Sequence, residues 1–95
     1  MKTTIEIRTE ILKKQCEVVG ADFDKLDFIS PESRWFMEYS WTKEQEEEFK
    51  KWLIDYMKAL SKQDYYQLSN YTKNKTNMKK IAEEWCFNYG WKYSN

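Results

Sequence analysis

Residues Tyr39 to Leu60 read YSWTKEQEEEFKKWLIDYMKAL, and the reading of this stretch decides the fold. Thr42 and Gln45 stand three apart just ahead of an apolar-periodic run. That spacing predicts a capping box, with the Thr42 hydroxyl accepting from the Gln45 N–H and the Gln45 side chain reaching back. Behind it, Phe49, Trp52, Leu53, Tyr56, Met57 and Leu60 recur every three or four residues and so share one helical face. Ahead of it, Trp35, Met37, Tyr39 and Trp41 alternate with Phe36, Glu38 and Ser40, which predicts a strand over Arg34–Trp41. A strand therefore runs straight into an amphipathic helix.

Downstream, Met78, Ile81, Ala82, Trp85, Cys86 and Tyr89 repeat the same helical spacing. Thr76 is the expected N-cap and Gly90 the expected left-handed stop. Trp91, Lys92 and Tyr93 then read as a short strand that pairs with Arg34–Trp41. Between the two helices, Lys62 to Lys75 is polar and tyrosine-rich and reads as a loop with a helical turn at most.

The segment Thr3–Val19 supports two readings. As a helix it is capped by Thr3, with Glu6 as the box partner, and stopped by Gly20. Ile5, Leu12, Cys16 and Val19 then make one apolar face, and Ile7, Ile11 and Val18 a second, nearly opposite one. Such a helix is either covered on both sides or offers one side to a partner. The competing reading takes Thr3, Ile5, Ile7 and Thr9 as an edge strand ahead of a shorter helix. Asp22 to Pro31 is a connector with a helical turn near Asp24–Asp27. The fold class these elements imply is a single α+β domain over residues 1–95, with two or three amphipathic helices on a small antiparallel sheet.

Composition narrows the function. Trp, Tyr and Phe number 5, 7 and 5, so a few large rings supply much of the core. The formal charge is zero, yet residues 1–48 hold 7 Lys/Arg against 12 Asp/Glu, and residues 49–95 hold 9 against 4. With no His, Ser–His and Cys–His nucleophile pairs are excluded and the commonest general base is missing. Cys16 and Cys86 fall on apolar faces without an activating neighbour, as buried reduced thiols do. Glu44, Glu46, Glu47 and Glu48 occupy the first turns of a helix, where the macrodipole favours them. Asp22, Asp24 and Asp27 lack the Gly and Glu that a calcium loop starting at Asp22 requires. The expectation is a non-enzyme with no cofactor and no metal. No apolar run approaches a membrane span and no secretory core is present, so a cytoplasmic setting is expected.

Two binding readings remain. Ile7, Ile11, Val18, Ile54 and Phe87 lie off the core stripes and are the candidate protein interface, toward another protein or a second copy of the chain. Tyr65, Tyr66 and Tyr71 interleave with Lys73, Lys75 and Lys79, which joins stacking faces to phosphate-neutralising charge. This nucleic-acid reading is the alternative, because net charge is zero and the stretch has no Arg.

Two motifs also carry a resemblance. Glu38-Tyr39-Ser40-Trp41-Thr42-Lys43-Glu44-Gln45, followed by Phe49 and Trp52-Leu53, resembles a helix start found in small bacteriophage and prophage proteins. Ala82-Glu83-Glu84-Trp85-Cys86-Phe87-Asn88-Tyr89-Gly90-Trp91-Lys92 resembles their N-Y-G-W-K ending. The resemblance spans Glu38–Leu60 and Ala82–Lys92, about a third of the chain. It implies a phage or mobile-element accessory protein and carries no activity with it.

Overall fold

The computed structural model describes residues 2–25, 40–89 and 92–93. Helix α1 runs Thr4–Val19, which settles the N-terminal alternatives in favour of helix. It starts because Thr3 is extended and its hydroxyl accepts from the Glu6 N–H at 3.1 Å. It stops at Gly20, whose φ of 76° lies in the left-handed region and whose N–H turns back to the last carbonyls. A Cβ at Gly20 would meet nothing within 4 Å, so the backbone alone demands glycine there.

The two apolar faces expected of α1 are the borders of one wide buried face. Ile7, Ile11, Leu12 and Cys16 are all buried, and Gln15 lies buried between them. This face is covered by α2 (Lys43–Ala59), by α3 (Lys62–Ser69) and by a 3-10 turn at Phe23–Lys25. The Asp22 carboxylate opens that turn by accepting from the Asp24 N–H at 3.0 Å. Ile5 alone escapes, 77% exposed near the start of the helix.

Helix α2 begins as its sequence predicts. Thr42 Oγ1 accepts from the Gln45 N–H at 3.2 Å, and Gln45 Oε1 accepts from the Thr42 N–H at 2.8 Å. The Gln45 amide also donates to the Val18 carbonyl at 3.2 Å, which fastens the start of α2 to the end of α1. Phe49, Leu53 and Met57 are fully buried, while Trp52, Tyr56 and Leu60 pack half-buried beside them. Their rings form a file along α2: Phe49 and Trp52 centroids are 6.0 Å apart, and Trp52 and Tyr56 4.9 Å, both stacked.

The stretch expected to be a loop after Ser61 opens as helix α3. Ser61 caps it by accepting from the Asp64 N–H at 3.2 Å, and the buried Leu68 anchors it to the core. Helix α4 spans Met78–Tyr89 and starts one residue later than expected. Asn77, not Thr76, accepts from the Lys80 N–H at 3.2 Å. Its buried stripe is Ile81, Ala82, Trp85 and Cys86, which packs against α2. Gly90 lies outside the described residues, as do residues 26–39 and with them most of the expected strand at Arg34–Trp41.

The α+β expectation is overturned. Among the described residues the chain is mostly helical, and its strand content is one pairing of two residues with two, β1 (Ser40–Trp41) with β2 (Lys92–Tyr93). That pairing is parallel, with Ser40 opposite Lys92 and Trp41 opposite Tyr93, not antiparallel. Connectivity permits this direction: no short turn ties the two strands into an antiparallel hairpin, and the passage through α2, α3 and α4 is the long crossover that a parallel pair needs. So short a pair adds one side chain to the core, Trp41, which is buried with its ring centroid 5.5 Å from that of Phe49. The helices instead close the core on each other, around Phe49, Leu53, Met57, Leu68, Ile81 and Trp85.

Candidate functional site

Three surfaces gather chemistry-bearing side chains. The first is a polar cluster where α1, α2 and α3 meet. Lys2 Nζ lies 2.9 and 2.7 Å from the two Glu10 oxygens, and the Tyr56 hydroxyl donates to Glu10 Oε2. The Lys2 ammonium also sits 5.3 Å above the Tyr56 ring, and the Lys2 backbone N–H donates to Asp64 at 3.1 Å. Hydrogen bonds from Lys2 and Tyr56 hold the Glu10 carboxyl below its ordinary range. Burial, reinforced by Glu10, pushes the Tyr56 hydroxyl well above its own. Both shifts run away from neutrality, so near neutral pH Glu10 is ionised and Tyr56 carries its proton. The cluster joins three helices and holds charge in place.

The second surface surrounds Phe87, which points out of α4 and is 87% exposed. Its surroundings are built by the loop between α3 and α4. The Glu84 carboxylate accepts from the Lys73 N–H at 2.7 Å and from the Asn74 side-chain amide, clamping the loop onto α4. The buried Thr72 hydroxyl donates to the Ser69 carbonyl at 3.1 Å and holds the loop from inside. Tyr71 stands edge-on to Trp85, centroids 5.8 Å apart, with the Arg8 guanidinium 5.3 Å over its ring. The result is a depression of about 480 Å³ bordered by Asn70, Tyr71, Lys73, Glu84, Phe87 and Asn88.

The third is a groove of about 330 Å³ between α2 and α4, floored by Ile54 and Ala82. Glu47, Lys50, Lys51, Asp55 and Lys58 line its α2 wall, and Lys79 and Glu83 stand on its α4 wall.

The candidate residues from sequence therefore separate. Ile7 and Ile11 are core side chains, 1% and 0% exposed, and Val18 is half-buried against the same core. Ile7 and Ile11 are therefore inside the fold instead of facing a partner, whereas Val18 keeps part of its surface exposed. Ile54 and Phe87 are accessible but lie on different surfaces, the groove and the Glu84 depression. The Tyr/Lys set is dispersed as well. Tyr66 is exposed, Tyr65 half-buried, and Tyr71 is engaged with Trp85 and Arg8. Lys73 borders the depression, Lys79 the groove, and Lys75 is exposed in the loop between α3 and α4.

Glu84 is the site residue that sequence reasoning misses. Nothing local marks it, because its partners lie ten and eleven residues earlier on a separate segment. Both cysteines are buried free thiols. Burial raises the Cys16 thiol to about 11 and pushes Cys86 higher still, so neither is a thiolate near neutrality. Among the described residues no helix is long and apolar enough to cross a membrane. No protein-family model, curated protein or solved structure matches the chain.

Proposed function

We propose that this protein is a non-catalytic binding module that acts by protein–protein contact through the surface around Phe87. The observation that carries the reading is the exposure of Phe87 on a surface that is otherwise firmly built. An exposed large aromatic on a small domain is the side chain a partner's pocket takes up as an interface anchor. The Glu84 clamp holds its surroundings in place before binding, which lowers the ordering cost of association. The resemblance to small phage proteins supplies the setting, an accessory protein of a phage or mobile element in a bacterial cell.

Site-specific photo-crosslinking tests this. With benzoylphenylalanine in place of Phe87, irradiation in nuclease-treated bacterial lysate is expected to give a discrete protein adduct. The same probe at Glu48, exposed on α2, should give none. Absence of an adduct at position 87, or one that nuclease abolishes, rejects the reading; the second result favours the nucleic-acid alternative.

A further inference from the structure

On α2, Glu47, Lys51, Asp55 and Lys58 are all exposed, and Ile54 lies half-buried among them. At 3.6 residues per turn these five side chains fall within about 100° of the helix circumference, so they form one stripe. The stripe is the outer wall of the groove whose floor includes Ala82 of α4. Lys50 already ion-pairs with Glu47 at 2.6 Å, whereas Lys51, Asp55 and Lys58 have no ion-pair partner among the described residues. The order of charge along the stripe is minus, plus, minus, plus. Read in the opposite direction it is the complement of itself.

We propose that this stripe is a self-association surface on which α2 packs antiparallel against α2 of a second copy of the chain. A two-fold axis near Leu53 brings Lys51 opposite Asp55 of the second copy and Glu47 opposite Lys58 of the second copy, each contact made twice. Ile54 of each copy meets the Ile54 and Ala82 floor of the other copy's groove, adding an apolar centre to a charged rim. A parallel arrangement would set like charges against each other, so the pattern selects the antiparallel one. The 17-residue helix is about 25 Å long, which limits the buried area to the small end of the interface range and makes the dimer weak. This surface is separate from Phe87, and its failure would leave the reading of Phe87 intact.

Sedimentation equilibrium across about 10 μM to 1 mM protein, the range in which small interfaces dissociate, reads the association directly. The mass should rise from monomer toward dimer and fall back as salt is added. Lys51→Asp and Asp55→Lys, each alone, should weaken association about tenfold or more by placing like charges in register. The double variant Lys51→Asp with Asp55→Lys should restore it, because each reversed charge again meets its opposite on the other copy. Circular dichroism confirms that the variants remain folded, since both side chains are exposed. A monomer at every concentration, single variants that dimerise as well as wild type, or a double variant that stays weak would each overturn the proposal.

Discussion

The Tyr56 hydroxyl of α2 donates to the Glu10 carboxylate of α1, and Lys2 bridges both oxygens of the same carboxylate. Because these bonds favour the ionised acid, Glu10 titrates below its ordinary value of 4.5 when the chain is folded. A depressed acid contributes stability above that value and loses it as pH falls through the folded value. Glu10→Gln should therefore flatten the acid limb of a Tm-against-pH curve below about pH 4.5 and lower Tm slightly at neutrality. Tyr56→Phe should move the Glu10 carboxyl titration, followed by carbon NMR, back upward. The effect is modest because the Glu10 side chain is 41% exposed.

Trp85 and Phe87 stand two apart on α4, with opposite surroundings. Trp85 is 1% exposed and meets Tyr71 edge-on, so Trp85→Ala should cost about 3–5 kcal/mol in a denaturant titration. Phe87→Ala should leave stability within about 0.5 kcal/mol, since its ring is in solvent. Equal losses at the two positions would show that α4 is rotated from the orientation described.

The Tyr65 hydroxyl is buried without a hydrogen-bond partner among the described residues, and burial raises its pKa. Removing an unsatisfied buried polar group forfeits no bond and relieves a desolvation penalty. Tyr65→Phe is expected to be neutral or to stabilise by about 1 kcal/mol, as read from the denaturation midpoint. A clear loss of stability would reveal a partner for that hydroxyl.

Gly20 ends α1 at positive φ in open space. Gly20→Ala should destabilise by about 1–2 kcal/mol through backbone strain alone, and Gly20→Asn by less. If Ala and Asn were equally tolerated in thermal melts, the helix would be ending in some other conformation.

The parts of this fold that are legible in the sequence are those set by neighbours a few residues apart. The Thr42–Gln45 box and the Gly20 stop are of this kind, and both stand where the spacing puts them. Helix α3 is hidden because its tyrosines dilute the apolar rhythm, although Ser61 and Asp64 carry the spacing of a cap. At the start of α4, Thr76 and Asn77 are both competent caps, and composition does not choose between them. The apolar face of α1 reads as two because Gln15, a polar side chain, lies buried in its middle. Strand direction is illegible for a deeper reason: the alternation that includes Tyr39 and Trp41 marks a pleated segment and says nothing of which way its partner runs. Phe87 is visible as a residue off the stripe, but the Glu84 clamp that shapes its surroundings links segments ten residues apart.

Gln45 has a partner in each of two helices: its carbonyl oxygen closes the first turn of α2 while its amide holds the Val18 carbonyl in the last turn of α1. Neither helix end can fray without releasing the same side chain. The two ends therefore belong to one cooperative opening unit, and amide hydrogens in both should exchange with a common free energy. Gln45→Ala would split that unit and let each end exchange at its own rate.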